Sequence, residues 1–116
     1  MPQNCIWVDT ETKGTVGTDG REYQHLWFGW AVHQRTTGRG NWTAPDWKYF
    51  VSSEDFWNWA EDKTRKQTRL YIFAHNWAFD GPVLNLWTSL HERGWELKSA
   101  VADAPPIILT YRKTRS

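Results

Sequence analysis

Across 116 residues the chain has one cysteine, one methionine, no long apolar run and no excess of either charge. Cys5 alone cannot close an internal disulfide, which excludes a disulfide-stapled scaffold and leads us to expect a reduced, intracellular setting. A mean hydropathy of -0.73 and the lack of a long apolar stretch argue against a membrane-spanning helix, so no membrane partner is expected. Met-Pro-Gln-Asn-Cys at the start has neither a basic flank nor an apolar stretch, so no secretory leader is expected. Fourteen basic residues against thirteen acidic ones leave a net charge of +1, without the electrostatic footprint of a general polyanion binder. Phosphate can still be held through metal ions and local contacts. The length admits one domain.

What the chain has in abundance is tryptophan: ten residues, within an otherwise ordinary 40% hydrophobic and 23% charged composition. Tryptophan brings a large apolar area with a single polar N–H. Most are therefore expected in the core or on its rim, with some as stacking platforms for bases or sugars.

The segment from Asn4 to Thr10 reads as a first strand, and Lys13 to Gly20, with three glycines, as a loop. Aromatic and branched residues from Gln24 to His33 make a second strand. Thr36 to Asp46 reads as another loop, and Trp47 to Val51 as a short third strand. Such strands joined by turns suggest an antiparallel meander. Ser52-Ser53-Glu54-Asp55 then opens a helix, with a hydroxyl cap and acids in its first turn. Phe56, Trp59, Ala60 and Lys63 share its face. Arg69 to Ala74 is a near-continuous apolar strand, expected to be buried on both faces and parallel to the first. Asp80-Gly81-Pro82 opens a second helix, with Val83, Leu84, Leu86, Trp87 and Leu90 inward and Gly94 as its cap. A closing hairpin is expected near Glu96–Val101 and Pro106–Arg112. The expected fold class is α/β with a mixed sheet and flanking helices.

Asp9 and Glu11 lie two apart at the end of the first strand, so both carboxylates share one face while Thr10 faces away. Like charges on one face repel unless a cation or proton lies between them, and hard divalent ions take oxygen ligands of this kind. Solvated acids at a strand end would look the same. The run Ala-His-Asn-Trp-Ala-Phe-Asp-Gly, from Ala74 to Gly81, follows a buried strand and precedes a helix, where open α/β sheets gather their ligands. Asp80 would arrive near Asp9 and Glu11 if the two strands run parallel. Two residues before Pro82, it is also a good helix N-cap, and taken alone it reads as a cap before it reads as a ligand.

Taken together, Asp-Thr-Glu-Thr at Asp9–Thr12 and His-Asn-Trp-Ala-Phe-Asp-Gly at His75–Gly81 resemble the first two motifs of the DEDD (RNase H-like) 3′-5′ exonucleases. The Asn-x-x-Phe-Asp form looks most like the proofreading domain of family B DNA polymerases, in particular the protein-primed polymerases of phages and linear plasmids. The resemblance spans roughly Ile6 to Arg112. It implies an RNase H-like sheet, and Asp9, Glu11 and Asp80 as catalytic ligands of two divalent cations, Mg²⁺ or Mn²⁺. It implies that Thr12, Asn76 and Phe79 hold the 3′ end of single-stranded DNA. His75 also falls on the pattern, and a structural histidine at a strand end fits it as well. Partners would be single-stranded DNA and a polymerase region, with a phage- or plasmid-encoded, intracellular origin.

The family's fourth carboxylate, on a Tyr-x-x-x-Asp helix, has no counterpart: Tyr23, Tyr49, Tyr71 and Tyr111 are followed four residues later by Trp27, Ser53, His75 and Arg115. The expectation is an incomplete exonuclease domain whose last carboxylate is supplied by a further segment or a partner. The alternative is a catalytically incomplete module that binds single-stranded nucleic acid or a protein. A sugar-binding tryptophan module would favour an all-β scaffold, against the two helical stretches.

Overall fold

The computed structural model describes residues 4–36, 39–64, 69–74, 81–93, 96–99 and 107–110. Its elements follow the order β1 (Asn4–Val16), β2 (Glu22–Arg35), β3 (Asp46–Phe50), α1 (Ser53–Asp62), β4 (Arg69–Ala74), α2 (Leu86–Glu92), β5 (Glu96–Ser99) and β6 (Ile107–Thr110). The six strands form one sheet in the order β3-β2-β1-β4-β6-β5. β1, β2 and β3 make an antiparallel meander, β4 runs parallel to β1, and β6 returns antiparallel to β4 with β5 at the edge. The mixed α/β architecture, the meander, the parallel fourth strand and the closing hairpin all agree with the sequence pattern.

Alternation along the strands gives the sheet two unlike faces. The inner face carries Ile6 and Val8 of β1, Ala31 of β2, Phe50 of β3, and Leu70 and Ile72 of β4, all buried in one cluster. α1 adds Phe56, Trp57 and Ala60, and the later helical segment adds Leu84, Leu86 and Leu90. Ser52 caps α1 as expected, its hydroxyl accepting from the Asp55 N–H at 3.1 Å. A buried polar link ties the start of β1 to the end of α1. The Asn4 amide donates to the Lys63 carbonyl at 2.8 Å and accepts from His33 Nε2 at 2.5 Å. The Lys63 ammonium lies 5.3 Å from the Trp59 ring centroid, its stem along the helix surface.

Several expectations need correction. β1 continues to Val16 and β2 begins at Glu22, so the expected loop shrinks to a turn around Gly17–Gly20, where Gly20 takes φ 78°. The polar residues there pair as a ribbon exposed on both sides, and the molecule reaches 54 Å along its longest axis. β4 is buried on one face only: Leu70, Ile72 and Ala74 are buried, while Tyr71 and Phe73 are half-exposed. The single second helix is broken. Residues 81–83 form one helical turn, then Asn85 enters the left-handed region at φ 53° and α2 starts at Leu86. Asparagine tolerates that conformation better than most residues. The break leaves the Leu84 carbonyl to accept from Trp57 Nε1 at 2.7 Å. Trp57 was not among the inward positions expected of α1, yet it is buried. Arg93 caps α2; Gly94 and the side chain of Trp87 lie outside the described residues. Most tryptophans were expected in the core or on its rim, but Trp27, Trp30, Trp42 and Trp47 are exposed.

Candidate active site

β1 and β4 determine where chemistry can collect. Their parallel register runs from Cys5–Tyr71 to Val8–Ala74, so β4 ends one position before Asp9. Asp9 and Glu11, expected at the end of the first strand, lie instead midway along β1, because the strand runs on to Val16 in its pairing with β2. The start of the helical turn at Gly81 lies seven residues after Ala74, and that interval contains His75, Asn76, Phe79 and Asp80. These four lie outside the described residues, so their geometry adds nothing to the site.

Asp9 and Glu11 are exposed, while Val8 and Thr10 between and before them are buried. Both carboxylates therefore stand on the outer face, as the spacing requires. Across β2 they pair in register with Trp30 and Phe28. No ion pair among the described residues engages either of them; those present join Lys48 to Asp55, Lys63 to Asp46 and Arg93 to Glu61. Two unneutralised carboxylates on one face suit a hard divalent cation in donor type and charge. Among the described residues no group of three His, Cys, Asp or Glu side chains comes together to hold one.

Directly after Glu11 the register slips: Glu11 pairs with Phe28 but Thr12 with Leu26, leaving Trp27 as the extra residue of a bulge on β2. Thr12 alternates to the opposite face from the carboxylates, is half-buried, and donates its hydroxyl to Gln24 Oε1 at 2.9 Å. Behind Asp9, Gly29 pairs with Thr10 on one side and Phe50 on the other. A Cβ there would lie 2.3 Å from Phe50 Cζ and 2.9 Å from the Asp9 carbonyl oxygen. The absence of a side chain thus lets the Phe50 ring lie against the β2 backbone at Gly29, the strand next to the one that carries the acidic pair. Sequence reasoning gave Gly29 no role, although a lone glycine within an aromatic strand signals a close approach.

The part of β1 that bears the carboxylates lies between two aromatic groups. On one side Trp7 stacks on Phe73 with centroids 5.7 Å apart and meets Trp42 edge-on at 5.8 Å. On the other, Tyr49 contacts Trp30 at 5.0 Å and Phe28 at 5.9 Å, and Trp27 meets Phe28 edge-on at 5.1 Å. A separate polar cleft opens on the helical side between the start of α1 and α2, lined by Ser53, Glu54, Asn85, Thr88 and Glu92 among others. It contains none of the expected site residues. Comparison of the chain with family models, curated proteins and solved structures finds no match.

Proposed function

We propose that the chain carries the front part of an RNase H-like, metal-dependent 3′-5′ exonuclease domain of the proofreading type, acting on single-stranded DNA as part of a family B DNA polymerase. The observation that supports it most is the parallel register of β1 with β4, which runs to Val8–Ala74, directly before Asp9 on one strand and directly before the His-Asn-x-x-Phe-Asp segment in the sequence of the other. Asp9 and Glu11 from β1 and Asp80 after β4 would hold two Mg²⁺ or Mn²⁺ ions. When bound, such cations supply hydroxide near neutral pH and offset charge on the leaving 3′ oxygen. Asn76 offers a donor and an acceptor to the terminal nucleotide, Phe79 a ring to stack on or wedge against a base, and His75 a further polar contact. Thr12 joins them only by giving up its bond to Gln24.

The reading is tested with 5′-labelled single-stranded DNA in Mg²⁺ and in Mn²⁺, alongside Asp9→Ala. The expected result is a ladder shortened from the 3′ end that disappears in Asp9→Ala, with the fourth carboxylate supplied by a second copy or an added polymerase segment. Cleavage that persists in Asp9→Ala refutes it. The lack of any Tyr-x-x-x-Asp in the sequence favours one second reading, a binding module that grips single-stranded nucleic acid or a protein without cutting. That module would retain oligonucleotide while showing no cleavage with or without added polymerase segments.

A further inference from the structure

The outer face of the sheet is unusual for one that bears two carboxylates. Trp27 is 55% exposed, Trp30 49%, Trp47 62% and Tyr49 48%. Side chains this large normally bury most of their area, and an exposed cluster of them on a sheet marks a binding surface. These rings are not scattered. Tyr49 bridges Trp30 and Phe28, and Phe28 bridges to Trp27, so four rings run in contact across β3 and β2 towards β1. Beyond the acidic pair, Trp7 and Phe73 continue the path onto β4.

The charges on this face follow the same line. The register places Lys13 and His25 beyond the bulge on the side of Trp27, and Arg69 at the start of β4. Lys13 Nζ stands 5.8 Å from the Trp27 ring centroid. Among the described residues of β1 to β4, Asp9 and Glu11 are the acids on this face. Asp46 lies on the other side, bonded to Lys63, and Glu22 lies there too, bonded to Gln24. Away from the acidic pair the described part of this face is largely aromatic, with Lys13 and His25 at one end and Arg69 on β4. That is the complement of a single strand of nucleic acid, whose bases present rings and whose backbone presents phosphates.

We propose that this aromatic face binds single-stranded nucleic acid by base stacking, with Trp30 and Tyr49 as its centre, and leads the strand to Asp9 and Glu11. The proposal rests on the exonuclease reading for the strand's destination. Stacking itself requires neither metal nor cleavage. A sheet whose exposed rings stack successive bases is an established solution to single-strand recognition in general.

The test is fluorescence anisotropy of 5′-fluorescein-labelled oligo(dT) titrated with the full chain in EDTA, so that neither cleavage nor metal contributes. Variants are Trp30→Ala, Tyr49→Ala, Trp30→Phe, Asp9→Ala and, as a control on the helical side, Glu54→Ala. Trp30→Ala and Tyr49→Ala are expected to weaken binding about fivefold to 150-fold each, the worth of one base–aromatic stack. Trp30→Phe is expected to retain most of it, and Glu54→Ala all of it. Because Trp30 is half-exposed, its variants keep the core, and unchanged far-ultraviolet circular dichroism verifies this. Wild-type chain that fails to bind in EDTA overturns the proposal, as does equal binding by Trp30→Ala and Tyr49→Ala. A dimer in sedimentation that dissociates in Trp30→Ala without a change in oligonucleotide affinity assigns the face to a second copy and also overturns it. Asp9→Ala that retains EDTA binding supports the platform whether or not the wild type cleaves, so failure of the exonuclease reading is seen separately.

Discussion

Replacing Gly29 with alanine probes the strand that carries the acidic pair from behind. The added methyl meets Phe50 Cζ at 2.3 Å, Phe50 Cε2 at 2.6 Å and the Asp9 carbonyl oxygen at 2.9 Å, all inside normal contact. The Phe50 ring has little room to retreat, being buried and packed at 5.0 Å from the Phe56 ring. Overpacking of this kind costs about 1–3 kcal/mol. The reduced freedom of alanine in the unfolded chain offsets about 0.4–1 kcal/mol of it. A net loss of ~1–2 kcal/mol is expected, a fall in Tm of about 4–8 °C for a chain of this length. Urea unfolding followed by tryptophan fluorescence measures it directly. Phe50→Leu shortens the offending ring, so the alanine penalty should shrink in that background by at least ~0.5 kcal/mol. The part due to the Asp9 carbonyl should remain. Gly29→Ala as stable as the parent, or the same penalty with and without Phe50→Leu, would refute the close approach of Phe50 to the β2 backbone.

Trp57→Phe keeps most of the buried ring but leaves the Leu84 carbonyl without its donor, an expected loss of about 1–3 kcal/mol in urea unfolding. Asn4→Ala strips partners from the Lys63 carbonyl and from His33 at once, and a loss of about 2–3 kcal/mol is expected by the same measurement. Burial pushes the Cys5 thiol from 9.0 up to about 11. The folded state therefore holds a proton that the unfolded state releases, and stability should be level below pH 9 and decline from there towards pH 11. Reaction of Cys5 with a disulfide reagent at pH 8 should accordingly be slow until urea unfolds the chain.

Much of the scaffold was legible because its signals are local. Ser52 with two following acids specifies the start of α1, and the six apolar-rich residues Arg69–Ala74 are bounded as a strand by polar neighbours. The parallel pairing of β4 with β1 follows from a helix intervening between them. What local signals miss is decided by pairing and packing at a distance. The ribbon beyond Thr12 is polar and glycine-bearing, and it is a strand because each residue has a partner across the hairpin. The second helix keeps its apolar spacing through Leu84, Leu86 and Leu90 while its backbone breaks at Asn85, so periodicity conceals the break. The tryptophans mislead in another way. Composition gives their area but not their face, and the register of β2 and β3 turns Trp30 and Trp47 outward.

For the site, spacing alone places Asp9 and Glu11 on one face, and the structure agrees. The segment after β4 lies outside the described residues; what the sheet order shows is the parallel pairing of β4 with β1 up to Val8–Ala74. The bulge at Trp27, the close packing of Phe50 on Gly29 and the engagement of Thr12 with Gln24 were not legible. Each depends on which residue of β2 or β3 stands opposite.

The central claim is that carboxylates from β1 and from the segment after β4 share a metal. Manganese titration of the full chain, followed by loss of the free Mn²⁺ paramagnetic resonance signal, tests it without reference to cleavage. Asp9→Asn and Asp80→Asn are each nearly isosteric and remove one charged ligand. The account predicts Mn²⁺ binding by the parent chain and at least tenfold weaker binding in both variants. Binding that survives Asp80→Asn at full strength, or a parent chain that binds no Mn²⁺, would contradict it.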